Sequence, residues 1–120
     1  MTYVLKYNES LDAIESVFSG VVTMEELAEE MIESHRLAME HGTDRFLGDL
    51  RDAELKVSVS EVYGMPDSYE ADGGERSTRV AIIVPRDQQG RRMAEFLKTT
   101  SLNRGWTIET FQQREDAVLW

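Results

Sequence analysis

Cysteine is absent from the 120 residues, and proline occurs only twice. Without cysteine the chain has neither disulfides nor a thiolate metal site, and a cytoplasmic location is expected. No apolar run approaches the roughly 20 residues of a membrane-spanning helix, and the first residues lack the pattern of a signal peptide. Basic residues are also scarce, since 13 lysines and arginines oppose 23 acidic residues for a formal net charge of −10. Nucleic-acid binding is therefore not expected, because phosphate backbones require concentrated positive charge.

Hydrophobic residues make up 41% of the sequence and are spread over its length, which predicts one folded domain over residues 1–120. The rest of the chain is organised around the stretch Arg79–Pro85, in which five apolar residues lie between an arginine and a proline. Such a run is too short for a helix and is rich in β-branched residues. It is typical of a strand covered on both faces, as in the interior of an α/β sheet.

Helical and strand patterns alternate on both sides of this central strand. The predicted order is a hairpin over 3–19, a helix over 24–41, a strand over 45–50, a short helix over 59–63, the central strand, a helix over 87–103, a strand over 106–110 and a helix over 114–120. This alternation predicts right-handed crossovers and a mostly parallel sheet of about five strands with about four helices. The polar stretch Pro66–Ser77 is predicted to be a mobile surface loop.

The first helix has the clearest local signals. Thr23 and Glu26 are spaced as a capping box at its start. At 100° per residue, one face is predicted to collect most of the apolar side chains, together with one histidine: Met24, Leu27, Ala28, Met31, Ile32, His35, Ala38 and Met39. The opposite face is predicted to carry a stripe of glutamates that includes Glu30 and Glu33, with Leu37 in its middle.

Five stretches occur in an order that is found in a known family: Val17–Leu27, Gly48–Arg51, Arg79–Val84, Arg104–Trp106 and Phe111–Trp120. In this order they resemble the SpoIIAA-like proteins, which are relatives of the STAS domain. The resemblance implies a single-domain α/β sandwich of successive strand–helix units. It also implies a regulatory or protein-interaction module that is not an enzyme.

Anti-sigma-factor antagonists among these relatives carry a phosphorylated serine in an Asp-Ser-Ser-Gly-like motif after the middle strand. This sequence has Asp52-Ala53-Glu54-Leu55 in that region, and Ser58 and Ser60 follow it. Both serines are explained by the capping of the next helix. We therefore predict that neither serine is a regulatory phosphorylation site.

A polar site is one functional hypothesis. Asp49, Arg51 and Arg86 are predicted near the carboxyl ends of neighbouring strands, where α/β sheets place ligands. A structural ion pair explains them equally well. Because no nucleophile is paired with a base, no catalytic residue is predicted. His35 and His41 lack metal-ligand spacing, so no metal site and no cofactor are expected.

Protein binding is the first hypothesis for function. The acidic stripe with Glu30, Glu33 and Leu37 is a candidate partner surface, although a solvated helix face explains it as well. Homodimerisation through an open sheet edge or through the first helix is a further hypothesis.

The alternative hypothesis is a carrier or sensor for a small apolar, lipid-like molecule. The short helix and the polar loop after it have few contacts to hold them, so they are predicted to lift and expose a cleft lined by methionine and tyrosine. The candidate ligand-binding residues are Met24, Leu27, Met31, His35, Val59, Tyr63 and Met65. The competing interpretation is a dry core filled by methionine, with His35 bonded to the backbone.

Overall fold

The structure, a computed structural model, describes residues 2–71 and 73–120. Five strands and four helices occur within these residues. In chain order they are β1 (Tyr3–Asn8), β2 (Ala13–Thr23), α1 (Met24–His41), β3 (Arg45–Lys56), α2 (Val59–Ala71), β4 (Arg79–Ile83), α3 (Gln88–Leu102), β5 (Thr107–Phe111) and α4 (Arg114–Leu119). The predicted α/β fold is confirmed, and so is the N-terminal hairpin.

The strands form one sheet in the order β1-β2-β3-β4-β5, so each strand pairs with its neighbours along the chain. β1 and β2 are antiparallel, and the three later pairs are parallel. Because parallel crossovers are right-handed, crossovers that all step in one direction bring their helices to one face of the sheet. Leu27 of α1, Tyr69 of α2 and Leu97 of α3 accordingly pack against the same apolar cluster.

The short helix α4 packs on the other face of the sheet. Adjacent residues of β4 show the division between the two faces, since side chains alternate along a strand. Ile82 packs with Phe18 and other residues beneath α1, α2 and α3. Ile83 packs with Leu47 and with Ala117 of α4. Coverage on both faces is the reason that the central stretch is apolar from Val80 to Val84.

The ends of the longer helices are set by the residues that the sequence indicates. The Thr23 hydroxyl accepts from the Glu26 N–H at 3.3 Å, and the Glu26 carboxylate accepts from the Thr23 N–H at 3.3 Å. Gly42, at the C-cap of α1, has a φ of 66°, a left-handed conformation that favours glycine. Asp87 caps α3 by accepting from the Gly90 N–H at 2.8 Å. The capping box and the N-cap are therefore confirmed.

The predicted faces of α1 are wrong at several positions. Ile32 and Met39 are predicted to face the core, but their side chains are 56% and 72% exposed. Glu30 is predicted to face solvent, but it lies against the sheet, where its carboxylate accepts a hydrogen bond from the Ser16 hydroxyl. Ser34, also on the sheet side, is buried. The helix thus turns a partly polar face inward, which an apolar periodicity does not reveal.

The second helix is longer than predicted. α2 continues through Gly64 and Pro66 to Ala71, so the predicted loop is wrong over residues 66–71. Proline inside a helix loses a backbone hydrogen bond, but Pro66 is fully buried, and its packing offsets that loss. Of the remaining loop, Asp72 lies outside the described residues, and the Gly74 N–H donates to the Tyr69 carbonyl at 2.8 Å.

β2 and β3 also exceed their predicted lengths, because their parallel pairing extends to Thr23 and Lys56. Among the described residues, none of the helices combines the length and the apolar character that crossing a membrane requires.

Candidate binding cavity

A cavity of about 190 Å³ lies between the central strands and helices α1, α2 and α3. Its walls are mainly aliphatic and aromatic, with contributions from every one of these elements. Representative wall residues are Phe18, Leu27, Met31, Leu50, Met65 and Ile82.

Small residues on the facing surfaces create this hollow. Ser16 and Gly48 are cross-strand partners in β2 and β3. A Cβ atom placed on Gly48 meets no atom within 4 Å, so the space above the strand is open. Ser34 of α1 and Ala94 of α3 line the cavity as well. Because protein interiors are otherwise close-packed, small side chains at these four wall positions leave space that larger side chains would fill.

One carboxyl group of α1 lines this mainly apolar space. The Ser16 hydroxyl donates to Oε1 of Glu30 at 2.9 Å. Burial raises the pKa of Glu30 to about 7, against the lowering effect of hydrogen bonds from Ser16 and Ser34, and the neighbouring Glu33 raises it further. Near neutral pH, Glu30 is therefore divided between its charged and neutral forms.

Two aromatic side chains close the cavity towards α2. Tyr69 and Trp106 meet edge to face, with ring centroids 5.4 Å apart. Burial raises the pKa of the Tyr69 hydroxyl well above its usual value. Trp106 is 5% exposed, and among the described residues no group accepts a hydrogen bond from its indole N–H. A buried donor without a partner costs about 1–3 kcal/mol.

Two arginines fasten α2 and the loop after it to the end of α3. Arg104 donates to the Tyr63 carbonyl at 2.7 Å, and its guanidinium lies 4.3 Å from the centroid of the Tyr63 ring. Arg76 donates to the Arg104 carbonyl at 3.1 Å and lies 4.1 Å from the centroid of the Trp106 ring. These contacts hold α2 and the loop after it against the end of α3.

Four of the seven candidate ligand-binding residues line the cavity. They are Leu27, Met31, His35 and Met65. Met24 is not among the wall residues, and Val59 and Tyr63 are 58% and 55% exposed on the outer side of α2. The predicted placement of these three residues in the cleft is therefore wrong.

Sequence reasoning missed several residues of the cavity wall. Ser16 and Gly48 are visible as small residues within predicted strands, but their pairing requires the register between the strands. Glu30 and Trp106 give no such signal, since a glutamate on a helix and an aromatic residue in a strand are ordinary on any face.

The residues of the predicted polar site, Asp49, Arg51 and Arg86, belong to two ion pairs in the structure. Arg51 donates to both carboxylate oxygens of Asp49, at 3.0 and 2.7 Å. Burial acts to raise the pKa of Asp49, but the hydrogen bonds from Arg51 outweigh it and hold the pKa below its usual value. Arg86 forms an ion pair with the Asp52 carboxylate. This geometry is that of the structural ion pair, the second of the two interpretations.

The predicted partner surface is not an exposed stripe. Glu30 lines the cavity, and Glu33 accepts a hydrogen bond from the Tyr3 hydroxyl at 2.9 Å. Leu37 is half-buried. The prediction that these three side chains lie together in solvent is therefore wrong. Over residues 2–71 and 73–120, no group of three or more histidine, aspartate or glutamate side chains is arranged to hold a metal ion.

Two solved structures match the fold of this chain over nearly their whole lengths. An uncharacterised protein of the DUF3478 family with a SpoIIAA-like fold, from Shewanella loihica PV-4, has a TM-score of 0.64 at 17% identity, over 98% of this chain and 92% of that one. The anti-sigma factor antagonist SpoIIAA in its unphosphorylated form has a TM-score of 0.53 at 15% identity, over 97% of this chain and 94% of that one. No protein-family model and no curated protein matches the sequence.

Proposed function

Since the chain has a SpoIIAA-like fold, we propose that it is a non-enzymatic binding module that holds a small apolar molecule beneath α1, α2 and α3. The observation that carries this proposal is the cavity of about 190 Å³ with its mainly apolar walls. Protein interiors contain few voids larger than a water molecule. An apolar cavity of about 150 Å³, engineered in another protein, binds benzene, so this volume is sufficient for a ligand.

A regulatory role requires that a bound ligand change the surface of the protein, and α2 connects the cavity with that surface. Val62 and Met65 line the cavity, while Val59 and Tyr63 on the same helix are exposed. A ligand that displaces the inner side chains therefore also moves an exposed surface. This geometry supports a sensor rather than a passive store.

The variant Gly48→Val tests the proposal, because its side chain occupies the hollow. The space above Gly48 is open and β-branched residues suit strands, so we expect the variant to fold with an equal or higher melting temperature. Ethylbenzene is a suitable probe, since a ligand that binds only the folded state raises the melting temperature. We expect ethylbenzene to raise it in the natural protein and not in Gly48→Val.

Ser19→Val is the matched control, because it adds the same β-branched side chain to β2 at an exposed position outside the cavity wall. It should retain the response to ethylbenzene. Failure of ethylbenzene to raise the melting temperature of the natural protein, or an equal rise in Gly48→Val, would contradict the proposal. Native mass spectrometry of freshly purified protein would then identify any molecule that the natural chain retains.

A second candidate function is protein binding, which the uncovered outer surface of the hairpin favours. Val4 and Val17 are cross-strand partners, and they are 70% and 42% exposed. β1 lies at the end of the sheet, so one edge of its backbone has no neighbouring strand among the described residues. A second copy of this chain is the occupant that we propose, because two such edges can pair across a two-fold axis and extend both sheets.

A further inference from the structure

We propose that the occupant of the cavity is a one- or two-ring molecule that carries a protonated amine, and that this amine binds the carboxyl group of Glu30. This inference rests on the proposed function, since it names the chemical class of the ligand for the same cavity. It narrows the lipid-like ligand that the sequence suggests to a compact cation.

The volume of the cavity sets the size of the ligand. About 190 Å³ is somewhat more than the engineered cavity of about 150 Å³ that holds one benzene molecule. A ring with a short side chain, about ten non-hydrogen atoms in all, fits that volume, whereas the chain of an ordinary membrane lipid does not. Aromatic side chains at the wall, among them Phe18, Tyr69 and Trp106, suit an aromatic ring, which they contact edge to face or in offset stacks.

The charges around the cavity select the head group. Among the described wall residues there is no lysine or arginine, and Glu30 is the one carboxylic acid. The neighbouring Glu33 adds a second negative charge close to Glu30. A ligand carboxylate or phosphate would meet like charge there and would find neither lysine nor arginine on the described wall, which is unfavourable. An ammonium group meets the opposite charge and avoids this repulsion.

An ammonium also matches the hydrogen-bonding capacity of this part of the wall. Glu30 has carboxylate oxygens to accept from it, and Ser16 already orients Oε1 by donating to it at 2.9 Å. Charge-assisted hydrogen bonds of this kind are about twice as strong as neutral ones. The other titratable groups of the wall are His35 and Tyr69, and the Tyr69 hydroxyl stays neutral because burial raises its pKa. The raised pKa of Glu30 agrees with a carboxyl group that lacks a cation until a ligand supplies one.

Three probes with one ring and different head groups test the inference: phenethylamine, phenylacetate and ethylbenzene. Their dissociation constants are measured by NMR titration at pH 7.5. We expect phenethylamine to bind at least about tenfold more tightly than phenylacetate. In Glu30→Gln this preference should fall to about threefold or less, because the amide carries no charge, while ethylbenzene should keep its affinity within about threefold.

Glu33→Gln is the matched control, since Glu33 lies one turn further along the same helix, binds Tyr3 and is not part of the wall. It should keep most of the preference for the amine, because the Glu30 carboxylate that contacts the ammonium is retained. Should Glu30→Gln not fold, Glu30→Asp tests the same contact by withdrawing the carboxylate by one methylene group, and the preference should fall at least about threefold.

Equal affinity for the amine and the carboxylate overturns the inference, and so does a preference that survives in Glu30→Gln or Glu30→Asp. If ethylbenzene still binds in a way that Gly48→Val abolishes, the proposed function stands without this head group. If none of the three probes binds the natural protein, both proposals fail.

Discussion

Glu15 and Glu30 lie on opposite faces of the sheet, and different groups surround their carboxylates. Glu15 on the outer face is 5% exposed, and Arg114 donates to it at 2.9 and 3.3 Å while Asn8 donates at 3.0 Å. Burial acts to raise the pKa of Glu15, but the hydrogen bonds from Asn8 and Arg114 outweigh it and hold the pKa below its usual value. Glu30 on the inner face has hydroxyl partners and no cation, so its pKa moves the other way.

The raised pKa of Glu30 makes the stability of the protein depend on pH. In the unfolded chain the pKa of this group is near the ordinary 4.5, and in the folded protein it is about 7. The folded state thus binds the proton more tightly. The stabilisation that comes from this tighter proton binding is fully present below pH 4.5 and is lost as pH rises through 7. We expect the free energy of unfolding, relative to Glu30→Gln, to fall by about 3 kcal/mol from pH 4.5 to pH 8.

Urea unfolding of the natural protein and Glu30→Gln at several pH values measures this difference. Parallel pH profiles for the two proteins would contradict the assignment to Glu30. Glu33→Gln serves as the control. It removes the smaller raising effect of Glu33 on the pKa of Glu30 but keeps burial, the largest cause, so its pH profile should lie nearer to that of the natural protein than to that of Glu30→Gln.

The Glu15–Arg114 pair links the start of α4 to the second strand, 99 positions away in the sequence. Arg114→Ala removes the guanidinium that donates two hydrogen bonds to the buried Glu15 carboxylate. We expect a loss of about 2–3 kcal/mol in the free energy of unfolding, at the low end for a buried pair because Arg114 is partly exposed. Arg114→Lys should recover part of the loss. If urea unfolding shows that Arg114→Ala is as stable as the natural protein, this ion pair contributes nothing to holding α4.

At the scale of elements, Arg104 decides how firmly α2 is held. Lysine keeps the charge but cannot both stack on Tyr63 and donate through a planar fork. We therefore expect Arg104→Lys to lower the free energy of unfolding by about 1 kcal/mol and to speed amide exchange in α2 more than in α1. Arg92→Lys, an exposed change of the same kind on α3, is the control. Unchanged exchange over residues 59–71 in Arg104→Lys would show that other contacts hold α2.

Local signals explain which elements the sequence predicts correctly. Some signals act on residues only a few positions away, so they can be recognised from the sequence alone. They are the capping residues Thr23 and Asp87 and the apolar run before Pro85. The length of α2 cannot be recognised in this way. The helix continues through Pro66, whose ring is buried against the rest of the molecule. That burial is a tertiary effect with no local signature.

The same distinction applies to the cavity. Leu27, Met31 and His35 are predictable because the apolar face of α1 is visible in the sequence. Met65 lies beyond the predicted end of the short helix, and it is predicted only as part of the segment that lifts. The hollow itself depends on Ser16 meeting Gly48 across two strands, which is a matter of register. The inward orientation of Glu30 then follows from the space and the hydroxyl that this pairing provides, and no periodicity in α1 alone predicts it.

At the scale of the whole molecule, the sequential strand order leaves the two faces of the sheet unequally covered. Three crossover helices lie on one face, while α4 covers only part of the other and leaves Val4 and Val17 exposed. If β1 edges pair as proposed, light scattering should give twice the mass of one chain at high concentration. Val4→Glu should give a single chain, because like charges would face each other, whereas Val59→Glu on α2 should not. A single chain for the natural protein at every concentration contradicts this mode of association.

The hollow above Gly48 should also make the folded protein more sensitive to hydrostatic pressure. Hydrostatic pressure favours whichever state occupies less volume, and unfolding removes internal voids. The natural protein should therefore unfold at lower pressure than Gly48→Val, with a larger decrease in volume, when tryptophan fluorescence is followed at constant temperature. Phenethylamine at saturation should shift the natural protein towards the behaviour of the variant. Equal volume changes for the two proteins would mean that water already fills the hollow, and pressure would then distinguish a dry site from a wet one.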